Sequence, residues 1–256
     1  MKARLPLVLA ALVPLALNPL HAETTEQWIA KARAYLGSES DLNAVTTIHF
    51  FGKLEGTQKV PAPDDKTKMI DQQVSLPTEI IFQKPYEQLM TLTRPDSTII
   101  TALDGYDGWS KTFNAKDPKQ WRFTLLTAQE VKQLRANTWE NLFFYAGIEK
   151  KGGRVELVGD VMVDGAACGK LSFIHAGNII FQRYFEKTTG RLIKTETDNG
   201  GEIREEGELI VNGIRFPRKV INKGPNGQIT AIVIDKVVLN ENLPASEFIV
   251  PAMQAN

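Results

Sequence analysis

The sequence has few of the residues from which disulfides and metal centres are built. Among its 256 residues there is one cysteine, Cys168, which excludes an intrachain disulfide and leaves stability to packing. Of its three histidines, only His49 and His175 lie beyond the N-terminal segment, each in a strand-like run and without the spacing of zinc ligands. We therefore expect no metal and no cofactor, two structural histidines and an inert Cys168.

The sequence also lacks the motifs of nucleophilic and nucleotide-dependent catalysis. It contains no Gly-x-Ser-x-Gly elbow, no phosphate-binding glycine loop and no dinucleotide fingerprint. Asp104 and Asp107 are the candidate carboxylate pair, but they lie in a glycine-containing turn, where aspartates usually shape the turn. We expect no catalytic residues and no enzyme, and an envelope hydrolase that uses Asp104 or Asp107 is the least supported alternative.

An excess of positive charge is absent as well. The chain has 30 basic and 30 acidic residues, and removing residues 1–22 would take away only Lys2 and Arg4 among them. A surface of this composition does not attract polyanions. Nucleic acid is therefore excluded as an expected partner.

The first 22 residues have the layout of a bacterial secretory signal peptide. Lys2 and Arg4 precede an apolar stretch, residues 5–17, and residues 20–22 end in an alanine suited to cleavage. Two prolines interrupt the apolar stretch, which is shorter than the roughly 20 residues that a transmembrane helix needs. The pattern predicts a periplasmic protein that does not span a membrane. The absence of a cysteine at the cleavage site predicts that it has no N-terminal lipid anchor.

Beyond residue 22, two helical segments interrupt a pattern of short strands. Thr24 and Thr127 each begin a capping box, and apolar residues follow at helical spacing as far as Leu36 and Gly147. Turn sequences separate the strand-like runs at spacings that suit antiparallel neighbours. The predicted strands are 45–54, 79–83, 88–93, 98–103, 108–113, 155–163, 169–175, 179–186, 192–197, 202–211, 216–222 and 229–239.

These elements predict a mainly β (α+β) fold, in one domain over residues 23–256. A large antiparallel sheet of about eleven or twelve strands must curl, because each strand is rotated relative to its neighbour. The expected architecture is a half-open β-barrel with two or more helices on its concave side. Such an arrangement leaves a cleft between the sheet and the helices.

Two segments contain motifs in an order typical of one known superfamily. In the first, Arg-Pro-Asp (94–96) precedes a strand and then Asp-Gly-Tyr-Asp-Gly-Trp (104–109). In the second, Gly-Ile-Arg-Phe-Pro (213–217) precedes an alternating strand, an asparagine and Phe-Ile-Val-Pro (248–251). This order resembles that of the periplasmic lipoprotein carriers and outer-membrane lipoprotein-sorting proteins, the LolA-like superfamily.

The resemblance implies a half-barrel that holds acyl chains in a hydrophobic cavity and has no enzymatic activity. We expect an exported monomer that binds lipid or an acylated lipoprotein, with envelope proteins as further partners. In the alternative interpretation, the same fold is a protein-interaction module without bound lipid. The side chains that we expect to line the cavity are Phe82, Leu92, Ile100, Trp109, Trp139 and Phe143. Two alternatives stay open for them: a strand has the opposite phase, or a side chain belongs to the ordinary core.

Overall fold

A computed structural model describes residues 23–251. The predicted signal peptide lies outside the described residues, and the assignment of residues 23–256 to one domain stays a prediction. The helices are α1 (Thr25–Leu36), α2 (Glu39–Ala44) and α3 (Ala128–Phe143). The strands are β1 (Thr47–Pro61), β2 (Met69–Gln83), β3 (Glu87–Thr93), β4 (Ser97–Asp104), β5 (Asp107–Asn114), β6 (Trp121–Leu125), β7 (Arg154–Val163), β8 (Ala166–His175), β9 (Ile179–Glu186), β10 (Leu192–Thr197), β11 (Glu202–Glu206), β12 (Leu209–Val211), β13 (Ile214–Phe216), β14 (Lys219–Lys223) and β15 (Ile229–Leu239).

Both predicted helices begin where their capping boxes place them. The Thr24 side chain accepts from the backbone N–H of Gln27, whose side chain accepts from the Thr24 backbone N–H. Thr127 and Glu130 form the same reciprocal pair at the start of α3. Each pair satisfies two backbone donors that the first helical turn leaves free, so the start of each helix is determined locally.

The main sheet is antiparallel, and its thirteen described strands follow the order β6-β5-β4-β3-β2-β1-β15-β14-β11-β10-β9-β8-β7. Strand β6 forms one edge and β7 forms the other. Near the middle, the pairing of β1 with β15 shifts register between Phe51 and Gly52. A Cβ atom at Gly52 would lie 2.0 Å from the backbone oxygen of Val233, so only glycine fits this bulge. Bulges bend strands and increase their twist, and this one helps the sheet to curl.

The helices α1 and α3 pack on one face of this sheet, which we call the inner face. The cross-strand partners Phe50, Ile80 and Met90 lie on it. Trp28 of α1 fills the space above Gly169 of β8, where an added Cβ atom would lie 2.4 Å from the indole ring. The prediction of a mainly β fold with a curled antiparallel sheet and helices on one side is confirmed.

The predicted strand boundaries were wrong in one region that matters for the site. Residues 202–211 and 216–222 were predicted as two continuous strands, but each is divided. Gly207 has a positive φ of 66°, and Pro217 cannot donate a hydrogen bond to a strand ladder. The chain therefore leaves the main sheet after β11, forms the separate hairpin β12–β13, and rejoins the sheet at β14. We call residues 209–216 the lid hairpin.

The opposite face of the sheet, the outer face, is partly covered by the C-terminal segment. The side chain of Phe248 is fully buried, and its backbone carbonyl accepts a 2.9 Å hydrogen bond from the indole Nε1 of Trp109. Trp109 lies across from Ala102 in the β4–β5 pair. The helices and the C-terminal segment thus cover different faces of the same sheet.

Candidate functional site

A cavity of about 340 Å³ lies between the inner face, helix α3 and the lid hairpin. Its volume falls within the range of small-molecule binding pockets, roughly 300–1,000 Å³. Most of its wall is apolar, and strands β1, β2, β3, β14 and β15 contribute much of that wall. The apolar lining side chains include Ile48, Phe50, Ile80, Phe82, Met90, Val220, Ile232 and Ile234.

The lid hairpin completes the cavity on the side of α1. Its turn, Asn212-Gly213, has positive φ at both residues (50° and 78°), as a two-residue type I′ hairpin turn requires. The buried side chain of Phe216 reaches the inner face and packs edge-on against Phe50, with ring centroids 5.8 Å apart. Ile214 is also buried. The hairpin is therefore held over the sheet by its apolar side chains, although it shares no ladder with that sheet.

The wall formed by α3 and β9 carries a buried cluster of ionisable side chains. The Oε1 atom of Glu140, on α3, lies 2.6 Å from the Nε2 atom of His175, on β8. The Oε2 atom of Glu140 lies 2.7 Å from Nη2 of Arg183 on β9. All three side chains are at least nine-tenths buried. Because charges are costly to bury unless they are paired, this cluster links the helix to two strands of the sheet.

The contact between Glu140 and Arg183 is an ion pair rather than an aligned hydrogen bond. Within residues 23–251, neither Oε2 of Glu140 nor Nε of Arg183 has a hydrogen-bond partner of acceptable geometry. The guanidinium group instead lies near aromatic rings, 4.9 Å from the Tyr145 ring centre and 5.4 Å from that of Phe173. Burial raises the pKa of the Tyr145 hydroxyl, and Arg183 acts in the opposite direction. This wall is polar and only partly satisfied by the protein.

Glu205 of β11 is a second carboxyl group on the cavity wall. Its side chain borders both the cavity and an adjoining cleft, where it keeps accessible surface. Surrounding protein atoms nevertheless desolvate the carboxyl group and raise its pKa, while the charge of Arg183 lowers it. Desolvation is the larger effect on this pKa, but the residue is exposed, so water screens part of the effect.

The adjoining cleft has a volume of about 270 Å³ and a more charged lining than the cavity. The two spaces share the lining residues Leu36, Glu205, Arg215, Phe216 and Pro217. At their boundary, Arg215 forms a 2.5 Å ion pair with Glu208. The arrangement is that of an apolar chamber beside a charged vestibule, which suits an amphiphilic molecule.

The six side chains expected to line a cavity occupy different places. Phe82 lines the cavity. Leu92 lies on the inner face, because it is two positions from Met90 on the same strand. It does not belong to the residues that line the cavity. The role of these side chains in ligand binding stays a prediction.

The remaining four of those side chains lie away from the cavity lining. Ile100 and Trp109 lie on the outer face, where Trp109 meets the C-terminal segment. Trp139 is buried in α3, stacked on Phe143 with ring centroids 5.6 Å apart. Phe143 is half-buried and packs between the two main core clusters.

The other residues singled out in the sequence occupy structural positions. His49 lies in β1, with Nδ1 2.6 Å from the carboxylate of Glu241. Asp104 and Asp107 pair across the β4–β5 turn. Cys168 is fully buried in β8, and burial raises the pKa of its thiol. Among residues 23–251, His, Cys, Asp and Glu side chains form no group of three or more that could hold a metal ion. No helix in this range is both long and apolar enough to cross a membrane.

The sequence contained a cue to the charged wall that the motif search missed. Strand β9 alternates Ile179, Phe181, Arg183 and Phe185 on one face, so the arginine occupies a position whose neighbours in phase are all apolar. A charged residue at such a position needs a buried partner. Its partner, Glu140, could not be identified from the sequence, because the pairing spans 43 positions and depends on where α3 lies.

Comparisons with known proteins bear on the fold. No family model and no curated protein matches the sequence. A crystal structure of a LolA superfamily protein from Nitrosomonas europaea superimposes with a TM-score of 0.57 at 14% identity, covering 90% of this chain and 99% of the other. The fold is LolA-like.

Two further solved structures have the same LolA-like architecture. An outer membrane lipoprotein-sorting protein domain from Vibrio parahaemolyticus has a TM-score of 0.54 at 10% identity. A DUF1329 family protein from Desulfovibrio piger has a TM-score of 0.53 at 11% identity. Each comparison covers 87% of this chain and 96% of the other. The resemblance inferred from the sequence motifs is thus confirmed at the level of the fold.

Proposed function

We propose that the protein is an exported, non-enzymatic carrier that binds the acyl chains of lipids or lipoproteins in the cavity. The observation that carries this proposal is the apolar chamber of about 340 Å³ between the inner face and its lid, with a charged vestibule beside it. An acyl chain would lie against the apolar strands, and a polar head group would face the vestibule.

The hydrophobic effect is sufficient to drive such binding. Burying one methylene group contributes about 0.8 kcal/mol. Ten methylenes would contribute about 8 kcal/mol before the costs of immobilising the ligand and ordering the chain are subtracted. The cavity wall needs no catalytic group for this purpose.

The proposed location and cargo have independent support. The N-terminal 22 residues have the pattern of a signal peptide, which supports export to the periplasm. The Vibrio parahaemolyticus domain is described as a lipoprotein-sorting protein, which supports lipoprotein acyl chains as one class of cargo. Because one fold can serve several functions, the test must identify the bound molecule itself.

The test is to produce the full chain in a bacterial host, purify it from the periplasmic fraction, and analyse bound lipids by mass spectrometry after organic extraction. The expected result is an acyl-containing molecule bound in stoichiometric amount. A delipidated protein should also take up a neutral fluorescent acyl probe at micromolar concentration. Purified protein without lipid that also ignores the probe would contradict the proposal.

A cavity-filling variant makes the test specific for the site. Val220 lines the cavity, and Val220→Trp should fill part of it and reduce probe uptake at least tenfold. Val158→Trp is the matched control, because Val158 is 56% exposed on edge strand β7. Far-UV circular dichroism would show that both variants are folded. Equal uptake by both variants would contradict binding in this cavity.

A further inference from the structure

Binding of an apolar chain alone does not explain why Arg183 lies in the cavity wall. A guanidinium group has five N–H donors and no acceptor. Within residues 23–251, its buried Nε atom has no hydrogen-bond partner, and its contact with Glu140 is not aligned as a hydrogen bond. The Arg183 side chain also lines the cavity. Partly satisfied buried polar groups are costly, and native proteins seldom keep them without a role. A ligand atom that interacts with this group must be an acceptor.

The charges around Arg183 restrict the kind of acceptor. Among residues 23–251, four acidic or basic side chains line the cavity, namely Glu140, Arg183, Glu205 and Arg215. Arg183 already faces Glu140 at 2.7 Å, and its charge also acts on Glu205. Arg215 is paired with Glu208 at the vestibule. A ligand carboxylate would add a further negative charge where the positive charges are already compensated, whereas a neutral carbonyl oxygen would add none.

We infer that the cavity selects acyl ligands whose chain ends in an ester or amide carbonyl over free fatty acids, with Arg183 donating to that carbonyl oxygen. The inference rests on the proposed function, because it names the ligand class for the same cavity. It places the ester or amide linkage beside the wall of α3 and β9. The hydrocarbon then extends along the apolar strands opposite.

The test compares three ligands of equal chain length: dodecane, methyl dodecanoate and dodecanoate. Each displaces the neutral fluorophore N-phenyl-1-naphthylamine from delipidated protein at pH 7.5. Dodecane has no acceptor and reports on the apolar wall alone. The ester adds a neutral carbonyl, and the free acid adds a charge, so the three affinities separate these contributions.

The key variant is Arg183→Met, which keeps an unbranched side chain and removes the donors. Because it leaves Glu140 buried without a cationic partner, the double variant Glu140→Gln/Arg183→Met is measured beside it to protect the fold. Arg154→Met is the matched control, since Arg154 is exposed and forms an ion pair with the exposed Glu156 on the same strand. A hydrogen bond to a charged donor is worth a factor of about ten or more in affinity.

The expected result is that wild type and Arg154→Met bind methyl dodecanoate at least tenfold more tightly than dodecanoate. The double variant should lose about tenfold in affinity for the ester and stay within twofold for dodecane. Tighter binding of dodecanoate than of the ester by wild type would overturn the inference. So would equal ester affinity in wild type and the double variant. If none of the three ligands displaces the fluorophore from wild type, the proposed function itself fails.

Discussion

The ion pair between Glu140 and Arg183 allows a quantitative test of how α3 is held on the sheet. The residues Glu140 and Arg183 are 7% and 8% exposed, and their charged atoms lie 2.7 Å apart. Removing one partner of a buried ion pair leaves an uncompensated charge and costs about 3–5 kcal/mol. Within residues 23–251, Arg183→Met leaves Glu140 with His175 alone as a side-chain hydrogen-bond partner, so we expect a loss near the middle of this range. Glu140→Gln should also be destabilising, because it leaves the buried guanidinium group of Arg183 without its ion-pair partner.

Removing both charges together should lower the free energy of unfolding by less than the sum of the two single losses. The double variant Glu140→Gln/Arg183→Met buries no unpaired charge in this cluster, so the coupling energy should reach at least about 2 kcal/mol. Urea unfolding, followed by tryptophan fluorescence and far-UV circular dichroism, gives the free energies and the m values. Coincident transitions are required for a two-state treatment.

Two results would refute this reasoning. If either single variant costs less than about 0.5 kcal/mol, as expected for surface substitutions, the charges are not buried as a pair. If the single effects add without coupling, Glu140 and Arg183 do not interact. An unchanged m value in all variants is needed to assign the losses to the native state.

Three further predictions concern other parts of the molecule. Gly52→Ala should cost about 1–3 kcal/mol in urea unfolding, because its Cβ atom would lie 2.0 Å from a backbone oxygen of β15. The control Gly56→Ala should cost less, because its Cβ atom would meet a side-chain methyl at 3.3 Å, and equal losses would contradict the bulge. Phe248→Ala should lower the free energy of unfolding by about 3–5 kcal/mol, because the Phe248 side chain is fully buried. Ile249→Ala should lower it by less than about 0.5 kcal/mol, because Ile249 is 47% exposed, and similar losses would contradict C-terminal packing on the outer face. The raised pKa of Glu205 means that the folded state holds this proton more tightly than the unfolded chain. The stability of the wild type should therefore fall as the pH rises above the usual glutamate range. In thermal unfolding from pH 4 to 8, Glu205→Gln should lack the part of this decrease that Glu205 causes.

Local patterns were sufficient for the starts of α1 and α3 and for most strands, whereas the short helix α2 was not predicted. The capping boxes at Thr24 and Thr127 depend on residues three positions apart, so the sequence contains the whole interaction. Strand β15 begins and ends at the predicted residues, because turn residues flank an apolar run on both sides. The number of strands was underestimated, since β6 was not predicted and two predicted strands are divided.

Strand phase was the main limit in choosing cavity residues. A period of two places Phe82 and Leu92 on one face and Ile100 and Trp109 on the other, but it does not say which face the helices cover. Both faces are partly buried here, one under the helices and one under the C-terminal segment. Apolar character therefore could not distinguish cavity lining from outer-face packing.

The sequence by itself determined the class of fold, the starts of α1 and α3, the order of the predicted strands along the chain and the expectation of export. These properties depend on local spacing and composition, which neighbouring residues define. Only the tertiary structure decided that the lid hairpin leaves the sheet, that Glu140 meets Arg183, and that an apolar chamber lies between them and the strands. Those features join residues far apart in sequence, and their energies exist only once the sheet has curled and α3 lies on its inner face.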